Sequence, residues 1–133
     1  MHNNTIKCLL IDDDADDQEV FKMAVASLDL AVEVATADGG SQAFEILNRT
    51  DLPDCIFLDL NMPLMNGREF LKKIKNIDRL KEIPVLIYST STDARDKTDM
   101  IFLGAAQFII KPNSVNDLIL ILKKELGKVN AMK

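Results

Sequence analysis

Histidine is nearly missing from this chain: His2 is the only one, and it lies at the extreme N-terminus. That excludes a catalytic dyad or a zinc centre built on imidazole. Cysteine is scarce too. Cys8 and Cys55 each sit inside an apolar run. Free cysteine behaves there as a small buried hydrophobe, so both read as core and not as a disulfide or metal pair. Positive charge is in deficit, with 16 Lys and Arg against 21 Asp and Glu and a net charge of −5. No basic patch stands ready to neutralise phosphates, which argues against nucleic acid as a partner. No apolar run approaches membrane-spanning length, and the N-terminus lacks the flanks of a signal peptide. A cytoplasmic protein is expected. Linkers, internal repeats and low-complexity tracts are lacking as well.

What the chain does have is a regular alternation of short apolar runs and amphipathic stretches. Its 133 residues, 47% of them apolar, suit one domain with a real core over about residues 5–128, and leave none for an output domain. Ile6 to Ile11 reads as a first strand, followed at once by the acidic cluster Asp12-Asp13-Asp14-Ala15-Asp16-Asp17. A helix from about Asp14 to Leu28 carries Val20, Phe21, Ala24, Val25 and Leu28 on one face. Asp14 suits its N-cap, and Asp16 and Asp17 suit its first turn, where the helix dipole favours negative charge. Val32 to Thr36 alternates as an edge strand does, and Ser41 to Asn48 forms a second helix.

Cys55 to Leu58 has the composition of a strand buried on both faces, and it stops at a single carboxylate, Asp59. Pro63 and Asn66-Gly67 forbid the strand from continuing. Phe70, Leu71 and Ile74 mark a third helix ending near Asn76. Pro84 opens a fourth strand that ends at Ser89. The next helix runs through Leu103 and is closed by Gly104. Gln107 to Ile110 is the fifth strand and stops at Lys111-Pro112. Val115, Leu118, Ile119, Leu122 and Leu126 stripe a last helix that Gly127 is expected to end. Leu120 and Ile121 fall off that stripe, as do Ile101 and Phe102 on the preceding helix, which suggests an apolar contact face. Five strands alternating with five helices through short connections imply an α/β fold, a doubly wound parallel sheet with right-handed crossovers.

In such a sheet the strand C-termini share one edge, where open α/β folds place their chemistry. That edge collects Asp12, Asp13, Asp59, Ser89 with Thr90 beside it, and Lys111. Neighbouring carboxylates repel and need a proton or a cation. Oxygen ligands of this kind select a hard ion such as Mg²⁺ or Mn²⁺. A lysine and a hydroxyl at the same place can receive the outer oxygens of a phosphoryl group, whose transfer needs mainly positioning and charge neutralisation.

Four motifs in order, Leu10-Ile11-Asp12-Asp13-Asp14, Leu58-Asp59-Leu60-Asn61-Met62-Pro63, the hydroxyl of Ser89 and Lys111-Pro112, resemble the receiver domain of two-component response regulators. The resemblance covers nearly the whole chain, and Asn76 to Glu82 looks like the same stretch of stand-alone receivers. It implies a flavodoxin-like sheet of order 2-1-3-4-5. It implies that Asp59 is the phosphoacceptor, that Asp12 and Asp13 bind the metal with Asp59, and that Asn61 offers it a backbone carbonyl. Ser89 matches the switch hydroxyl, Lys111 the lysine that contacts the phosphoryl oxygens, and Phe108 the switch aromatic. A cis bond before Pro112 is also implied, aiming the lysine inward. The implied partners are a histidine kinase or histidine phosphotransfer protein and a downstream protein target. A homodimer through the fourth helix, fifth strand and fifth helix is a further expectation. Two departures, Ser89 for the commoner Thr and a bulky Thr90, bear on switching amplitude and dephosphorylation rate.

Two other classes use related features. A haloacid-dehalogenase-like phosphatase also has a strand-end Asp and Mg²⁺, but wants a second acid where this chain has Asn61. A flavodoxin-like cofactor binder needs a phosphate loop after the first strand, and Asp12 to Asp14 would repel a phosphate there.

Overall fold

A computed structural model describes residues 5–49 and 51–133; His2 lies outside them. The elements run β1 (Ile6–Ile11), α1 (Ala15–Ala26), β2 (Val32–Ala37), α2 (Gly40–Arg49), β3 (Cys55–Leu58), α3 (Gly67–Lys75), β4 (Val85–Ser89), α4 (Ala94–Phe102), β5 (Gln107–Ile110) and α5 (Val115–Ala131). All strand pairs are parallel, and the sheet order is β2-β1-β3-β4-β5. The flavodoxin-like topology is therefore as expected.

Alternation along the strands divides the interior in two, because successive side chains point to opposite faces. Leu9, Ile11, Ile56, Leu58, Val85 and Ile87 pack under α2, α3 and α4, against Leu47, Phe70, Leu71, Ile74 and Met100. Ile6, Cys8, Leu10, Cys55, Phe57, Leu86 and Tyr88 pack under α1 and α5, against Phe21, Ala24, Leu118, Leu122 and Leu126. Cys8 and Cys55 are register partners, both free and buried. Burial raises the Cys8 thiol well above its ordinary range, helped by the neighbouring Cys55. They are core, as read.

Local signals set the helix ends. Asp14 accepts from the backbone N–H of Asp16 and Asp17 at the start of α1. Asn66 and Glu69 form a reciprocal capping box on α3. Gly104, at φ +108°, closes α4: its N–H donates to Ile101 O at 3.0 Å, and the Ala105 N–H donates to Met100 O at 2.9 Å. That is a Schellman ending, which the positive φ of glycine permits.

The fifth helix departs from expectation. It does not stop at Gly127 but continues to Ala131, burying Val129. Packing of an apolar face outweighs the roughly 1 kcal/mol that glycine costs inside a helix. Val115, at the first position of α5, is 37% exposed and does not join the buried stripe. Ile121, expected off the stripe, is half-buried against the α1 and α5 core.

Candidate functional site

Strand register builds the site. Ile11 pairs with both Ala37 and Leu58, so the residue after each strand lies at one level of the C-terminal edge. There the Asp12 N–H donates to Ala37 O and the Asp59 N–H donates to Ile11 O, both at 3.0 Å. On the other side Ser89 pairs with Ile110, and the Lys111 N–H donates to Ser89 O at 2.8 Å. Four strand ends thus bring Asp12, Asp59, Ser89 and Lys111 together with no loop excursion. Asp13 follows one residue on and is exposed.

Carboxylate oxygens of Asp12, Asp13 and Asp59 all lie within 4.8 Å of one another. That is close to the roughly 4 Å between opposed oxygen ligands of a small divalent ion. Asp12 is fully buried, Asp59 is 7% exposed and Ser89 is fully buried. The Lys111 ammonium donates to Asp12 Oδ2 at 2.8 Å and to Asp17 Oδ2 at 2.8 Å, and stands 3.5 Å from Asp59 Oδ2. The Asn61 N–H donates to Asp59 Oδ1 at 3.3 Å. The Ser89 hydroxyl accepts from the Ser91 N–H at 3.2 Å.

Burial raises the carboxyl of Asp59 despite the opposing charge of Lys111. Burial raises Asp12 likewise, although the lysine is bonded to it. An acid paired with lysine would ordinarily be lowered; here desolvation outweighs the pairing. Burial alone would lower the Lys111 ammonium, yet its bonds to Asp12 and Asp17 and the charge of Asp59 raise it. Within the cluster the one lysine pairs with Asp12 and Asp59. All three donors are hard oxygens, so Asp12, Asp13 and Asp59 fit a divalent cation such as Mg²⁺ or Mn²⁺.

Gly67 is required at the far end of the β3–α3 loop. A Cβ there would come within 2.5 Å of Asp59 O, and the Gly67 N–H donates to Leu60 O at 2.9 Å. The loop therefore closes directly onto the backbone that carries Asp59.

Sequence similarity agrees with this geometry. The model of the response regulator receiver domain matches residues 8–123. This chain is a receiver domain of the response-regulator family. It is similar to the two-component response regulator ORR5 of rice, 34% identical, covering 83% of this chain and 81% of that protein. It is 38% identical to a protein-glutamate methylesterase/protein-glutamine glutaminase of Cereibacter sphaeroides, matching 84% of this chain but only 30% of that longer protein. Among solved structures, the phosphorylated cyanobacterial phytochrome response regulator RcpA superposes with a TM-score of 0.83 at 32% identity, covering 91% of each chain. The Mn²⁺-bound form of response regulator Rcp1 gives a TM-score of 0.80 at 26% identity, covering 90% of each chain.

One receiver expectation is corrected. No peptide bond among the described residues is cis, so Lys111–Pro112 is trans. The lysine reaches the cleft nonetheless, because the β4–β5 ladder already holds its backbone and the trans form needs no compensation. Phe108 is half-buried and packs on the core under α2 to α4, beside Ile87 in the sheet.

Sequence reading missed three residues of this receiver site. Asp17 bonds Lys111, the Tyr88 ring lies 5.2 Å from the ammonium, and the Gln18 amide donates to Asp12 O at 2.6 Å and to Asp38 Oδ1 at 3.0 Å. For Asp17 a signal existed: residues 17, 21 and 24 share one helix stripe, and Phe21 and Ala24 face the sheet. Tyr88 gave none, since strand alternation assigns it only to the core. Burial pushes its phenol up to about 12.

Proposed function

We propose that Asp59 accepts a phosphoryl group from the phosphohistidine of a histidine kinase or histidine phosphotransfer protein, in a Mg²⁺-dependent reaction. The observation that carries this is the Asp12, Asp13 and Asp59 cluster with Lys111 3.5 Å from Asp59. A carboxylate oxygen of Asp59 forms the new bond to phosphorus. The phosphorus–nitrogen bond breaks, and its electron pair stays on the imidazole of the donor. Bound Mg²⁺ or Mn²⁺ would neutralise charge at the phosphoryl oxygens, held by Asp12, Asp13, Asp59 and the backbone carbonyl of Asn61. Lys111 contacts an outer phosphoryl oxygen. Ser89 is the switch hydroxyl: to reach the phosphoryl group it turns from the Ser91 N–H, and Phe108 follows as the switch aromatic.

The site assists its own phosphorylation and dephosphorylation rather than turning over a separate substrate. The phosphorylated conformer then acts through protein contacts in the cytoplasm. For the test, acetyl phosphate with Mg²⁺ adds one phosphoryl group to the wild-type chain and none to Asp59→Asn, read by intact mass. Unchanged labelling of that variant would move the acceptor elsewhere.

Phe102 at 89% exposure, Leu120 at 65% and Ile110 at 49% lie on α4, α5 and β5. They support a homodimer or target face across these elements. A monomer in sedimentation, with and without phosphorylation, would remove the dimer.

A further inference from the structure

Asp17 is the one carboxylate bonded to Lys111, among the described residues, that does not belong to the three-acid cleft. We propose that Asp17 is a positioning residue: it holds one Lys111 N–H donor outside the three-acid cleft, so that the lysine takes up one oxygen of Asp12 and does not close on Asp59 as well. The effect on the cation rests on the metal reading given under the proposed function.

Three observations carry it. Lys111 has three N–H donors; Asp12 and Asp17 each take one at 2.8 Å, leaving one directed at Asp59 from 3.5 Å. The lysine side chain is only 9% exposed, so water cannot freely replace a lost partner. Its other flank is the Tyr88 ring, 5.2 Å away, which attracts the charge but accepts no strong hydrogen bond. Neutralise Asp17 and the ammonium is drawn toward the remaining carboxylates beside it, Asp12 and Asp59. Both are needed for the ion.

Asp17 is also well placed to stay put. It occupies the first turn of α1, where its backbone N–H is held by Asp14 Oδ1 at 3.1 Å. Its side chain is 39% exposed, unlike that of Asp12, which is fully buried. It therefore supplies a counter-charge with little desolvation penalty. When Asp12 engages a cation, Asp17 still retains the lysine beside Asp59.

A double-mutant cycle isolates this role. Mg²⁺ affinity would be measured by titration for wild type, Asp17→Asn, Lys111→Ala and the double variant. Asp16→Asn serves as control, removing the same charge from the same helix turn at an exposed position. Asp17→Asn is expected to weaken Mg²⁺ binding about fivefold. The loss should shrink to the level of Asp16→Asn when Lys111 is absent, and Asp17→Glu should restore much of it. Equal losses with and without Lys111, or from either aspartate, would overturn the assignment.

A second readout needs no metal. The Lys111 ammonium resonance in NMR should hold its position in Asp16→Asn and shift in Asp17→Asn, as the lysine closes on Asp12 and Asp59. An ammonium resonance unmoved by Asp17→Asn would also overturn it. If the wild-type chain gives no response to Mg²⁺, the metal reading falls, while the ammonium signal still decides the role of Asp17.

Discussion

Asp59 is held in a place that suits the proposed phosphoryl transfer and costs the fold. Its folded carboxyl is raised above the ordinary 3.8 by burial. Above that value the folded chain retains protons that the unfolded chain has released, so stability falls as pH rises through the window. Asp59→Asn should therefore stabilise the metal-free protein at neutral pH relative to acid pH. The gain should vanish below the carboxylate range, where the acid is neutral in both states. Thermal melts of both proteins from acid to neutral pH check this; a gain independent of pH would show that charge is not its cause.

Leu64 carries backbone strain. It has φ +67° and full exposure, and the Met65 N–H donates across it to Pro63 O at 2.8 Å. Such a γ-turn at positive φ is rare and costs a non-glycine residue about 1–2 kcal/mol. Leu64→Gly should recover that and return part of it as unfolded-chain freedom, for a net gain of roughly 0.5–1 kcal/mol. A urea midpoint no higher than that of wild type would remove strain as the description of this turn.

Among the elements, α5 shows packing overruling a local stop signal. Gly127 lies inside the helix, and a Cβ there would meet nothing within 4 Å beyond the helix's own backbone. Gly127→Ala should add about 0.5–1 kcal/mol by restricting the unfolded chain and favouring the helix. Lower stability on denaturation would mean that the helix needs that glycine. α1 holds two functions at once: its Phe21 and Ala24 seal the core while Asp17 on the same stripe reaches Lys111. Its first turn is thus part of the site as well as of the scaffold.

For the molecule as a whole, a cation held at the acidic edge as proposed would couple its binding to folding. A ligand that binds only the native chain stabilises it by mass action, about 2.7 kcal/mol at a hundredfold excess over Kd. Saturating Mg²⁺ should raise the melting temperature by several degrees, and Asp13→Asn should abolish most of that rise. Asp13 is exposed, so its replacement tests the ion and not the core. Equal shifts in both proteins would place the ion elsewhere.

The alternation of strands and helices, the Asp14 cap, the glycine stop at Gly104 and the edge location of Asp12, Asp59, Ser89 and Lys111 were legible in the residues alone. Each depends on local chemistry or on strand ends that a parallel sheet must align. Tertiary structure decided where α5 ends, the trans bond before Pro112, and the grip of Asp17 and Tyr88 on Lys111. These depend on how far an apolar face finds something to cover, and on which polar atoms distant segments bring within hydrogen-bond reach. Sequence spacing encodes direction along a helix or strand; it does not encode the distance across the sheet.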